Sequence, residues 1–231
     1  MKARIIFNYV LVRLGIRKVL PAEIVNKVEV RECGMEMVST DSDSIIFGDV
    51  ESKFARKLMM EKLHRAADSV RGQGLKFLVY ELYRSPEKQA RRREENRREI
   101  EKEHPEYSES QILFALDRVA ARVGGSGHQT GGAVDLTLCR EDGTPLDMGT
   151  PYLDHSKATA TDSKLITEEQ RRNREILLTA MRDAGFVNYP AEWWHYCYGD
   201  KMWAAYSHKK YAIFGKVSSD RMHFLNEIWE D

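Results

Sequence analysis

Cysteine is scarce in this chain, and so are net charge and long apolar runs. Three cysteines in 231 residues, Cys33, Cys139 and Cys197, form an odd set with no C-x-x-C pair. That argues against a secreted disulfide framework and points to a reducing compartment. The 36 basic and 36 acidic side chains cancel, so no global field is available to hold nucleic acid or an anionic membrane. Small or neutral partners fit that balance better. No segment approaches the roughly 18 consecutive apolar residues that a membrane span needs. The first stretch, MKARIIFNYVLVRLGIRKVL, starts basic like a signal peptide, but Asn8, Arg13 and Arg17 interrupt it and no small-x-small cleavage site follows closely. It reads as structure, and the cytoplasm is the expected location, with export to the cell envelope as the alternative.

The length suits one well-cored domain with an extension. We expect residues 1–45 to be an N-terminal extension packed on a domain formed by residues 46–231. Between Val50 and Val70, Phe54, Leu58, Met59, Leu63, Ala66 and Val70 recur at helical spacing, and Gly72 and Gly74 end the helix. LKFLVYELYR, Leu75 to Arg84, is apolar on both alternating faces, as a central strand would be. Ser85 and Pro86 then supply an N-cap and a first-turn proline. The helix they open carries seven basic and six acidic residues between Glu87 and Glu103, and one net charge cannot release many counterions, so its face is solvated. Ser108 caps a further helix with Ile112, Leu116, Val119 and Val123 as its buried stripe, stopping at Gly124.

AVDLTLCR reads as a strand, Glu141 to Thr144 as its turn, and PLDMG as a returning hairpin partner. The stretch from Thr150 to Ile166 has no periodicity, and a loop of that length usually carries function or disorder. Thr167 to Gln170 is a capping box for a helix through Ile176, Leu177, Met181 and Ala184, ended by Gly185. AEWWHYCYGD follows as a buried aromatic strand.

The chemistry concentrates in GGSGHQTGGAVDLTL, Gly124 to Leu138, where five glycines surround His128 and Asp135. A hydrolytic zinc takes three protein ligands and leaves the fourth position to water. His128, on a tight glycine-permitted turn, and Asp135, on the strand, could be two of them. Alternation puts Ala133, Asp135 and Thr137 on the site face and Val134, Leu136 and Leu138 in the core. Sixty residues after Asp135, Glu192-Trp193-Trp194-His195 offers a third ligand in His195 and a general base in Glu192. Positions i and i+3 of a regular strand face opposite ways, so the backbone must turn between those two residues. The other histidines, His64, His104, His155, His208 and His223, have no such setting and read as structural. Trp193, Trp194, Tyr196 and Tyr198 read as core, and Cys139 and Cys197 as small buried hydrophobes.

These residues resemble the zinc D,D-peptidases, which include D-alanyl-D-alanine dipeptidases of the vancomycin-resistance type and D,D-carboxypeptidases. The pattern S-x-H-x-x-G-x-A-x-D followed by E-x-x-H is met by Ser126, His128, Gly131, Ala133 and Asp135, then by Glu192 and His195. The resemblance runs over about residues 50 to 200 and includes Tyr83-Arg84-Ser85-Pro86 and MGTPYLD from Met148 to Asp154. It implies a Hedgehog-type α+β fold, with a mainly antiparallel central sheet flanked by helices. It also implies one Zn2+ per chain on His128, Asp135 and His195, with Arg84 stabilising the oxyanion. Asp154 is the nearest counterpart of the aspartate that holds the substrate's ammonium group, and Ser126 is a second substrate-side residue. The sequence departs from the family where the usual D-G-Y-R reads Glu81-Leu82-Tyr83-Arg84, and where Leu153 looks inserted before Asp154.

Three functions follow as expectations. The first is hydrolysis of the small dipeptide D-alanyl-D-alanine. The second is a D,D-carboxypeptidase trimming peptidoglycan stem peptides, and the third a non-catalytic zinc-stabilised binding module.

Overall fold

Along the strand Ala133–Arg140 every residue but the last is buried, and its alternation organises the molecule. The computed structural model describes residues 11–12, 18–119 and 125–218. Taken in chain order, its elements are α1 (Ala22–Asn26), β1 (Glu29–Val30), β2 (Met37–Val38), β3 (Ile45–Phe47), β4 (Ala55–Arg56) and α2 (Lys57–Val70). Then come β5 (Leu75–Glu81), α3 (Pro86–Glu103), α4 (Glu109–Val119) and β6 (Ala133–Arg140). The chain continues through α5 (Glu168–Asp183), β7 (Val187–Asn188), β8 (His195–Cys197), α6 (Lys201–Tyr206) and β9 (Tyr211–Ala212).

The central sheet has the order β3-β5-β6-β8-β7. It is α+β and mainly antiparallel as expected, but mixed, because β3 joins β5 in parallel. One face is the core: Phe77, Val79, Val134, Leu136, Leu138 and Tyr196 meet the apolar stripes of α2 and α5. A bulge changes which residues share the other face. Val79 pairs with Leu136, but the next pair is Glu81 with Asp135, so Tyr80 is the extra residue. Without the bulge Glu81 would point into the core with Val79. With it, Glu81, Asp135 and His195 stand in one row across three strands, since Asp135 also pairs with His195.

Several boundaries differ from the sequence reading, each for a local reason. The helix expected from Val50 starts at Lys57, because Ala55 and Arg56 pair with β2 and Arg56 N–H bonds Gly131 O. The strand expected to run to Arg84 ends at Glu81, and PLDMG returns only as a single bridge between Cys139 and Pro145. AEWWHYCYGD is strand only over His195–Cys197, where Asn188 and Tyr189 permit pairing. The capping box at Thr167 forms, and Gly185 takes a left-handed turn with φ 94°. Val123 and the stop at Gly124 lie outside the described residues.

Arg56 ties three segments to the site loop. Its buried guanidinium donates to Thr130 O (2.9 Å), Met35 O (2.6 Å) and Gly215 O (3.0 Å), and pairs bidentately with Glu32. Losing those donors would leave three carbonyls short of partners, at about 1 to 3 kcal/mol for each one left buried. Arg56→Leu is therefore expected to lower unfolding free energy by about 3 kcal/mol or more, measured by urea denaturation. A loss below about 1 kcal/mol would mean that water replaces the guanidinium.

Candidate metal centre and catalytic cavity

His128 reaches the site from a single 3-10 turn, Gly127–Thr130, and its own amide N–H donates to Ser126 Oγ (3.3 Å). The turn needs its glycines for definite reasons. A side chain on Gly127 would meet Asp200 Oδ2 at 2.2 Å, and Gly131 has φ +69° with Met37 Sδ 2.5 Å from where a Cβ would sit. Arg84 N–H bonds His128 O (3.4 Å), so the end of β5 and this turn are laced together.

His128 is buried, and its Nδ1 donates to Leu82 O at 2.7 Å. That hydrogen bond places the proton on Nδ1 and leaves the Nε2 lone pair facing the site. Nε2 makes no hydrogen bond and lies 3.3 Å from Asp135 Oδ1. His195 Nδ1 lies 2.8 Å from the same oxygen. The three residues each offer a ligand atom within 4.8 Å of the others. A tetrahedral ion with bonds of about 2.0 to 2.1 Å would separate its ligands by about 3.3 Å, so this donor set fits a small divalent ion.

Charge in the cluster is arranged around Asp135. Burial alone would raise its pKa, but the attraction of the two imidazoles, His128 first, and the hydrogen bond from His195 hold it well below the usual range. Burial likewise lowers His128. For His195 burial works in the same direction, yet the hydrogen bond to Asp135 together with the attraction of Asp135 and Glu192 outweighs it and raises the pKa.

Around this row stand groups that sequence reasoning passed over. Tyr152 Oη donates to Asp135 Oδ2 at 2.8 Å. Glu81 pairs with Arg84 and, at 2.8 Å, with Arg92. Despite burial, which would raise it, the hydrogen bond from Arg84 and the attraction of His128 and Arg84 together bring the Glu81 pKa down to about 2. Gln89 Oε1 accepts from Arg84 Nη1 at 2.7 Å. Gln89 and Arg92 lie three residues apart on α3, the helix read from sequence as solvated. Their spacing, directly after Arg84, was the available signal. Arg84 is thus clamped at both terminal nitrogens, while its buried Nε has no hydrogen-bond partner.

Glu192 and His195 are brought to one side by the turn the sequence required. Glu192 N–H bonds Tyr189 O (3.0 Å), His195 N–H bonds Glu192 O (3.4 Å), and Asn188 Nδ2 bridges the carbonyls of both residues at 3.0 Å. Burial raises the Glu192 pKa above the ordinary carboxylate value. Glu192, Arg84, Ser126 and the three ligand-type residues line one cavity of about 450 Å³. Leu153 and His155 line it too, so His155, read as structural, faces the site cavity. Asp154 between them is not part of that lining, and its carboxylate accepts from Ser156 Oγ. Leu153 has φ 67°, a strained backbone for a leucine. Trp193, Trp194 and Tyr196 are core and Tyr198 packs against it, while all three cysteines are free, Cys139 and Cys197 being buried.

A buried His-Asp-His group on an α+β sheet, with a carboxylate and a clamped guanidinium in the same cavity, defines the class of site. The chain belongs to the D-ala-D-ala dipeptidase family, whose model matches residues 47–214. It is 37% identical over 108 residues to a D-alanyl-D-alanine dipeptidase of Synechocystis sp., covering 39% of this chain and 43% of that protein. The match therefore spans less than half of that relative's length. A D-alanyl-D-alanine dipeptidase of Enterococcus faecium is 30% identical over 151 residues, covering 62% of this chain and 72% of that one. Among solved structures, a mutant of the vancomycin-resistance D,D-pentapeptidase VanY in complex with Zn(II) is similar at 20% identity and TM-score 0.48, over 77% of this chain and 86% of that one.

Gly127→Ala is expected to push Asp200 from its place and displace the turn carrying His128. Divalent-metal affinity should fall about tenfold or more, the scale of a lost supporting contact, as read by calorimetric titration. Affinity unchanged within twofold would show that this turn accepts a side chain.

Proposed function

We propose that this protein is a zinc-dependent hydrolase of D-alanyl-D-alanine, with zinc on His128, Asp135 and His195. The observation that carries the reading is the unpaired, buried Nε2 of His128, aimed at Asp135 and His195 in the cavity that Glu192 and Arg84 also line. Zinc is favoured over harder cations because two of the three donors are imidazole nitrogens. A purely structural zinc takes four protein ligands, and among the described residues three converge. That weighs against a non-catalytic binding module.

When bound, the ion supplies Lewis acidity, bringing the pKa of water to about 7 and polarising the scissile carbonyl. The protein's own residues supply the remaining steps. Glu192 accepts the proton of the attacking water as its oxygen bonds the carbonyl carbon. Its raised pKa makes it a better base than an exposed carboxylate. The same carboxyl then gives that proton to the departing amine as the carbon–nitrogen bond breaks. Arg84 Nε, held by the Glu81 and Gln89 contacts, donates to the oxygen that becomes negative. The Ser126 hydroxyl, on the cavity wall, is free to donate to the substrate while its oxygen caps His128 N–H. Asp154 remains the counterpart by resemblance for the substrate ammonium, beside the cavity and bonded to Ser156. The free thiols, with Cys33 exposed, favour the cytoplasm, and no described helix is long and apolar enough to cross a membrane.

Zinc-loaded protein is expected to cleave free D-Ala-D-Ala in preference to an N-acylated tripeptide ending in the same pair. Preference for the tripeptide would transfer the assignment to a D,D-carboxypeptidase. Glu192→Ala should keep one zinc per chain and lose about 10²-fold or more in turnover. Substantial remaining hydrolysis rules it out as the base. For Arg84→Ala the expected loss is about 10² to 10³ in kcat with zinc retained, and normal turnover would contradict its role.

A further inference from the structure

The cavity is completed by residues outside the segment that the family model matches. Leu20, Ala22, Glu23, Val25 and Asn26 all line it, and all precede residue 47. They belong to the stretch around α1, a helix of five residues with no buried member. So short a helix does not hold its own place in water. Its position comes from contacts at each end. Leu20 N–H bonds Tyr206 Oη at 2.9 Å, and Lys201 Nζ bonds Asn26 O at 2.7 Å, so the stretch is pinned to both ends of α6. Lys18 also pairs with Asp162 of the long loop, though both are exposed and that pair adds little. Leu20 is buried at the junction, while Met202 and Tyr206 of α6 continue the same wall.

From this arrangement we infer that residues 20–26 form an end wall of the catalytic cavity and set substrate length, excluding peptides extended at the amino terminus. The inference rests on the dipeptidase reading and deepens it. The wall is mostly apolar, with Leu20, Ala22 and Val25 facing space that an acyl group or another residue would need. It acts by clash with the longer substrate, so specificity arises without any added attraction to the shorter one. Glu23 is the carboxylate of this wall and suits an ammonium better than an acylated nitrogen.

The test measures binding, so turnover does not enter. Zinc-loaded full-length protein carrying Glu192→Gln is titrated with D-Ala-D-Ala and with N-acetyl-D-Ala-D-Ala by calorimetry. Two alterations are added separately: Lys201→Met with Tyr206→Phe, which releases the anchors, and Leu20→Ala with Val25→Ala, which enlarges the space with the anchors in place. Each is expected to lower the ratio of acetylated to free dissociation constants by about tenfold, the scale of a few methylenes in a pocket, with the free dipeptide changed less than about threefold. A ratio that stays within twofold in both, or both ligands weakening alike, overturns the wall and leaves the dipeptidase reading standing. If the starting protein binds neither peptide, the dipeptidase reading falls and the wall with it.

Discussion

The rest of the site depends on keeping a carboxylate charged inside the sheet. Asp135 is buried on the central strand, where an isolated charge would cost several kcal/mol and would take up a proton instead. It stays ionised because His128, His195, Tyr152 and Arg84 converge on its two oxygens, at 3.3, 2.8, 2.8 and 3.7 Å. Each comes from a different part of the chain. The same charge therefore gathers the segments that a metal ion and a peptide would need.

That gathering is possible because of the bulge at Tyr80. A regular β5 would leave Glu81 in the core and only Asp135, at 3.7 Å, as an acid near Arg84. With the extra residue, Glu81 joins the site face and becomes the counter-charge for Arg84, Arg92 and, at 3.3 Å, Lys88. Arg84 is then fixed chiefly by Glu81 and Gln89, and its remaining Nε is unspent. The departure from the family pattern at Glu81 fits this role, since its side chain, one methylene longer than aspartate, spans to two guanidinium groups. Tyr80, displaced by the bulge, stacks on Tyr152 at 4.5 Å between ring centres and steadies the tyrosine that bonds Asp135.

The sequence exposed the parts of this arrangement that rest on local pattern. Alternation in AVDLTLCR separated the core face from the site face, and the i, i+3 conflict between Glu192 and His195 required the turn that Asn188 holds. Tyr152, Gln89 and Arg92 were hidden because their roles come from long-range placement. A charged helix looks solvated until the strand before it brings its first turns against a buried acid. Residues 20–26 were hidden for a related reason: a five-residue helix is too short to carry a periodic signal, and its place is set by Lys201 and Tyr206, more than 170 residues later.

The glycine-rich turn shows how closely metal geometry and packing are joined. Gly127 is small because Asp200 lies against it, and Asp200 lies there because its Oδ1 caps α6 through Trp203 N–H at 2.7 Å. Gly132 is small because Tyr198 O would be 2.6 Å from a side chain. Both constraints come from the segment just beyond His195. The turn bearing one imidazole is thus shaped by the chain that follows the other, which keeps their separation independent of any ion. A site set in this way would need little reorganisation to take the ion proposed for it. The same α6 that Asp200 caps also anchors residues 20–26, so the elements that place His128 and the wall that bounds the cavity share one support.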